Sequence, residues 1–155
     1  MVSATTIIHA SREAVFAVLA DPTRHAAIDG TGWVSEPLDT EPLTGVGQIF
    51  RMAMYHPNHP QGHYQMANQV QIFDPPSVIS WKPGYYTDSG SLDFGGWVWR
   101  YDLRETESCA TEVALSYDWS AVSDVVRQRI GFPPFAADYL SNSLGHLSEL
   151  VRSNG

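Results

Sequence analysis

The chain has 155 residues, 43% hydrophobic, 12% aromatic and 17% charged, which suits one globular domain spanning 1–155 and excludes a disordered polymer. Its formal net charge of −8 is the wrong sign for a protein held by phosphate contacts, so no nucleic-acid partner is expected. The single cysteine, Cys109, excludes an intrachain disulfide, and without basic neighbours it reads as an inert thiol. No run of about 18 apolar residues occurs, and the start lacks the pattern of an export signal, so no membrane insertion and a cytoplasmic location are expected.

In chain order, Ala4 to Ala10 carries the β-branched run of a first strand and leads into Ser11, a good helix N-cap. Val15, Phe16, Val18 and Leu19 recur at helical spacing up to Ala20, and Pro22 then disfavours the helical conformation at Asp21. Asp21 caps a second short helix with Pro22 in its first position, which stops at the Asp29-Gly30 turn signal.

After Gly47 the pattern changes to alternation. Gln48 to Met54 sets Phe50, Met52 and Met54 on one face, and Tyr64 to Phe73 does the same with Tyr64, Met66, Asn68, Val70 and Ile72. Val78 to Lys82 is a shorter strand that the Pro83-Gly84 turn is expected to end. Gly96 to Arg104 places Trp97, Trp99, Tyr101 and Leu103 on one face. Thr111 to Trp119 answers with Val113, Leu115, Tyr117 and Trp119, as an antiparallel hairpin requires.

Helical spacing returns in Asp124 to Ile130 and, beyond Pro133-Pro134, from Phe135 to Val151. Leu140, Leu144, Leu147 and Val151 form one apolar stripe, with Tyr139 near its start. This order predicts an α+β domain in which a curved antiparallel sheet of about six or seven strands packs one face on a long C-terminal helix, with two short helices after the first strand.

The segments ASREAVFAVLADPTRHAAIDGTG (10–32), VQIFDPPSVISWKP (70–83), GGWVWRYDL (95–103) and TEVALSYDWS (111–120), with the long terminal helix, resemble the START-like or helix-grip superfamily, in particular its bacterial polyketide cyclase/dehydrase and lipid-transport branch. The resemblance spans nearly the whole chain. It implies a sheet gripping the terminal helix around an internal cavity, and it implies no particular reaction, because members include carriers, cyclases and chaperone activators.

The residues make the case for a cavity on their own terms. A single helix about 10 Å across covers only the middle of a strongly bent sheet. The inward aromatics, each worth roughly 150 to 250 Å² of buried surface, either fill the remaining space or wall it. Inward polar atoms among them favour a wall. Tyr64, Asn68, Trp97, Trp99, Tyr101, Tyr117, Trp119 and Tyr139 are the candidate ligand-binding residues, and Met52, Met54 and Met66 would let the wall adapt.

For catalysis, His25 and Asp29 are four apart, so a continuing helix would let the carboxylate orient the imidazole. The bland alternative is a half-exposed His25 beside a turn. His56, His59 and His63 have the loose spacing of a zinc site, but interleaved Pro57, Asn58, Pro60 and Gly62 read as a surface loop, and no metal is expected. No nucleotide or nucleophile-elbow motif occurs, and no cofactor is expected. Gly145 reads as a tolerated helix glycine and Gly131 to Phe135 as a fixed bend. The leading expectation is therefore binding of a small hydrophobic or aromatic molecule, lipid-like or polyketide-like. The alternatives are a polyketide cyclase/dehydrase using His25, Asp29, Tyr64 and Tyr117, or a protein-interaction module.

Overall fold

A computed structural model describes residues 1–57, 59–106, 109–129 and 131–154. Ile130, the expected end of the third helix, lies outside these, as do Asn58 of the histidine loop and Glu107 and Ser108 of the hairpin link. The chain runs β1 (Val2–Ile8), α1 (Arg12–Leu19), a 3-10 turn (Pro22–Arg24), α2 (His25–Asp29), β2 (Val34–Pro37), β3 (Ile49–Tyr55) and β4 (His63–Asp74). It continues with β5 (Val78–Tyr86), β6 (Leu92–Phe94), β7 (Val98–Glu105), β8 (Thr111–Asp118), α3 (Asp124–Arg129) and α4 (Tyr139–Asn154).

The expected caps are made. Ser11 Oγ accepts from the Ala14 N–H at 3.2 Å, and Asp21 Oδ1 accepts from the Thr23 N–H at 3.0 Å. Gly30 ends α2 in the left-handed region, at φ 70°, a conformation glycine adopts without a side-chain clash.

Every strand pairing is antiparallel, in the spatial order β1-β8-β7-β5-β4-β3-β2, with β6 added beside β5. The path of seven strands agrees with the expected sheet, and the short β6 makes an eighth. β5 runs through Pro83 and Gly84 to Tyr86 because its edge changes partner there: pairing with β7 ends at Trp81 and pairing with β6 begins at Gly84. Pro83 sits in that gap, where a proline removes no ladder bond to β6 or β7. Gly84 lets β6 approach, since a Cβ there would stand 2.9 Å from the Asp93 carbonyl oxygen.

In β4 the register slips between Val70 and Ile72, so Val70 opposes Trp81 while Phe73 opposes Ile79. Phe73, rather than Ile72, therefore turns to the core and packs edge-on against Phe16 at 5.4 Å. A bulge inverts the alternation, and strict period-two reading missed it.

Helix α4 begins at Tyr139, four residues later than expected, because the backbone turns at 135–138 and aims the Phe135 ring back onto Tyr139 and Tyr117. Its apolar stripe is as read: Leu140, Leu144, Leu147 and Val151 are all buried. The helix packs chiefly on β1, β8, α1 and α2. It thus covers one end of the concave face, not the middle as expected, because α1 and α2 follow β1 directly and hold it to that side. Helices α1 and α2 reach the inner faces of β3, β4, β5 and β7 in part, through contacts such as Phe16 to Phe73 and His25 to Trp81, and the rest of those faces has no helix over it.

Leu147 is fully buried, so Leu147→Ala is expected to cost about 2–5 kcal/mol. Gly145, two residues away, is exposed, and a Cβ there meets nothing within 4 Å. Gly145→Ala is accordingly expected to stabilise by about 1 kcal/mol. Urea unfolding of the two variants checks the opposite signs.

Candidate functional site

The uncovered sheet faces one cavity of about 990 Å³. Met52 and Met54 of β3, Tyr64 and Asn68 of β4, and Trp81 of β5 wall one side, and Trp99, Tyr101 and Tyr117 of β7 and β8 wall the next. Opposite them stand His25, Ile28 and Asp29 of α2, Trp33 and Val34, the segment from Gly131 to Phe135, and Tyr139 and Ser143 of α4. Tyr85, Arg129 and Gly131 are exposed wall residues and mark the mouth. An empty apolar void of this size would cost on the order of 20 kcal/mol, more than the whole stability of a typical domain. The space therefore belongs to solvent or to a guest.

The aromatic rings line the wall in two runs of contacting rings. Trp99 stands 4.5 Å from Tyr117 and 5.9 Å from Phe135, and Phe135 stands 4.7 Å from Tyr139. Tyr139 stacks on Trp33 at 5.6 Å, and Trp33 reaches His56 at 4.9 Å. On the far side His25 stacks on Trp81 at 5.1 Å, and Trp81 contacts Tyr101 at 5.8 Å. The sheet alternation supplies the β4, β5, β7 and β8 rings. Trp33 and Phe135 come from segments without regular periodicity and extend the run through Trp99 from the helix side.

Of the residues singled out from the sequence, Tyr64, Asn68, Trp97, Trp99, Tyr101, Tyr117 and Tyr139 lie in the wall. Trp97 precedes β7 instead of lying within it. Trp119 lies one layer out, its ring 6.3 Å from Phe132 and 5.9 Å from Tyr117. Trp33, Phe135 and Ser143 were missed. Nothing in the local pattern of the first two distinguishes a wall position, while Ser143 sits beside Leu144 on the inward side of α4, where helical spacing could have found it.

His25 and Asp29 both reach the wall but are not joined to each other. His25 is buried, contrary to the half-exposed reading, and its Nε2 donates to the Leu19 carbonyl at 2.9 Å. Burial holds it below the ordinary imidazole value of 6.5, with the Leu19 bond and then Asp21 pulling partly back. Asp29 is equally enclosed. Its Oδ2 accepts from the Thr31 N–H at 3.1 Å, the Thr31 hydroxyl at 2.6 Å and the Val34 N–H at 3.3 Å, while its Oδ1 accepts from the Tyr139 hydroxyl. That last bond ties α4 to the end of α2, so the partner of Asp29 is a phenol 110 residues away and not the imidazole one helical turn back.

The phenols respond to this setting. Burial, then the Asp29 carboxylate, pushes the Tyr139 hydroxyl far above its ordinary value of 10. Tyr64 moves up for the same two reasons, more weakly. Burial raises Tyr101, partly offset by Ser143, and burial alone raises Tyr117. All four are neutral hydrogen-bond donors at physiological pH.

The three loop histidines diverge. His56 faces Trp33, His59 stacks on Tyr64 at 4.5 Å, and His63 faces Tyr55 at 5.1 Å. Among the described residues no group of three His, Cys, Asp or Glu side chains is arranged to hold a metal ion, and no helix is long and apolar enough to cross a membrane.

Fold and site together define an α+β helix-grip domain with an aromatic-walled cavity between sheet and helices. No family model matches the chain. Uncharacterized protein Rv0088 of Mycobacterium tuberculosis is 24% identical over 151 residues, and the chain spans only 61% of that relative's length. Among solved structures, protein Ms6760 of Mycobacterium smegmatis has a TM-score of 0.69 at 14% identity, covering 99% of this chain and 91% of that one. Protein CV1439 of Chromobacterium violaceum gives 0.67 at 19% identity, covering 97% and 95%. The Zhui aromatase/cyclase from a Streptomyces species gives 0.64 at 14% identity, covering 99% and 93%. At these identities the likeness carries the fold.

Because the His25 imidazole is neutral in the folded chain and titrates near 6.5 when unfolded, protonation favours the unfolded state. Stability from this group is present above pH about 6.5 and declines as pH falls below it toward the lowered folded value. Unfolding free energies at pH 7.5, 6 and 5 are expected to decline more steeply for the wild type than for His25→Gln.

Proposed function

We propose that the chain binds a small, largely apolar or aromatic molecule in the cavity between its sheet and terminal helix. One observation carries the reading: a cavity of about 990 Å³ whose wall carries eleven Phe, Trp and Tyr side chains, with buried polar atoms gathered around Asp29. The volume stands at the upper end of the roughly 300–1,000 Å³ typical of small-molecule sites, room for several fused rings or a folded chain. The rings would supply affinity through apolar contact, and the hydroxyls of Tyr64, Tyr101 and Tyr139 and the Asn68 amide would orient the guest's polar end. The helix-grip neighbours and the resemblance to the polyketide cyclase/dehydrase and lipid-transport branch support the same class.

A second reading, an enzyme of cyclase or dehydrase type, is favoured by the hydrogen bond between Asp29 and Tyr139. It sets a proton acceptor and a proton donor at one wall, as ring closure or water loss on a poly-ketone requires. The Zhui protein, a fold neighbour, is named an aromatase/cyclase. In this reading Asp29 takes a proton from an activated carbon and the phenol of Tyr139 donates to the developing oxyanion.

Native mass spectrometry after exposure to a cell lipid extract is expected to show a retained small molecule that Ser143→Phe, which projects a ring from α4 into the cavity, expels. Retention unchanged in folded Ser143→Phe, or no retention by the wild type, counts against binding in this space. Incubation with a linear poly-ketone separates the two readings: a carrier returns it unchanged in mass, whereas an enzyme releases water and loses turnover in Tyr139→Phe.

A further inference from the structure

We infer that the cavity selects a guest that leads with a hydroxyl group, an alcohol or a phenol, and turns away one that leads with a carboxylate. The inference rests on the binding reading above and concerns the chemistry of the end that meets Asp29. Asp29 is only 5% exposed, yet it forms part of the wall. Its Oδ2 is saturated by the Thr31 N–H, the Thr31 hydroxyl and the Val34 N–H. Its Oδ1 takes one donor, the Tyr139 hydroxyl, and a carboxylate oxygen has sites for two. Oδ1 of this wall residue therefore keeps acceptor capacity for a donor brought by the guest. The phenols of Tyr64 and Tyr101 stand close enough to feel the same carboxylate, and a hydroxyl on either can accept as well as donate.

The wall offers an anion neutral donors but, among the described residues, no buried cation. Among the described residues, Arg129 is the one arginine or lysine in it, and Arg129 is exposed at the mouth. His25 is buried neutral with its Nε2 committed to the Leu19 carbonyl. His56 and His59 lie on the β3–β4 connection, against Trp33 and Tyr64. A carboxylate driven to the Asp29 end would lose its water and meet a like charge in a medium of low dielectric. An alcohol loses little and gains a charge-assisted hydrogen bond.

The test compares 1-pyrenemethanol with 1-pyrenecarboxylate at neutral pH, two probes of the same ring system, read by energy transfer from the wall tryptophans Trp33, Trp81, Trp97 and Trp99. The alcohol is expected to bind the full chain at least about tenfold tighter, a gap that survives about 0.5 M salt because a buried charge is poorly screened. In Asp29→Asn, whose amide can donate to a carboxylate, the gap is expected to shrink below about threefold. A wild-type gap under tenfold, a gap that salt removes, or one undiminished in folded Asp29→Asn overturns the inference and leaves the cavity reading standing. If neither probe transfers energy, the cavity reading falls and this inference with it.

Discussion

One amphipathic helix cannot cover a bent sheet of eight strands, and the rest of the structure follows from where the uncovered part lies. The Leu140, Leu144, Leu147 and Val151 stripe of α4 is used against β1, β8, α1 and α2, and α1 and α2 cover β3, β4, β5 and β7 only in part, so much of their inner face has no helix over it. Those strands nevertheless present large apolar and aromatic side chains on their inner face. Their burial has to come from side chains meeting across a gap, and Trp33, Phe135 and Tyr139 supply the opposing rings from the helix side. A hollow rimmed by rings is the outcome of too much concave surface for one helix.

The Asp29 to Tyr139 hydrogen bond gives this hollow a polarity. A buried carboxylate costs several kcal/mol unless its oxygens are satisfied, and three of its four donors come from its own turn, at Thr31 and Val34. The fourth, the phenol at the start of α4, locks the terminal helix to α2 in the same stroke. A second clasp, His146 Nδ1 donating to the Ile28 carbonyl at 3.0 Å, lies two turns further along α4 and closes over Gly30. The polar end of the cavity is thus also the joint between helices, which makes the chemistry of the site and the placement of α4 one structural problem.

Much of this was legible in the chain. The alternation of β3, the first half of β4, β7 and β8 put Phe50, Met52, Tyr64, Asn68, Trp99, Tyr101 and Tyr117 on the inner face, because period-two patterning survives wherever one sheet face is buried. The caps at Ser11 and Asp21 and the stop at Gly30 were readable because they depend on side chains within three residues of the backbone they serve. Pattern failed where a neighbour changed the rule. The β4 bulge swapped Ile72 for Phe73, β5 passed through Pro83 because its edge partner changes there, and Trp119 falls past the end of β8, its ring stacked on Phe132.

Composition, alternation and capping determined by themselves an acidic α+β domain with an aromatic inner sheet face and one long terminal helix, since each depends on residues close in sequence. Tertiary structure alone decided that His25 would turn to the Leu19 carbonyl and that Asp29 would find Tyr139. The spacing of four residues puts His25 and Asp29 on one helix face, but α2 is a single short turn ending at Gly30, and each finds a stronger partner, His25 the Leu19 carbonyl at the end of α1 across the intervening bend and Asp29 the Tyr139 phenol from α4. Which end of the sheet the helix covers, and so where the hollow lies, was decided in the same way, by the packing of α1 and α2 against α4. No local period encodes contacts between segments more than a hundred residues apart.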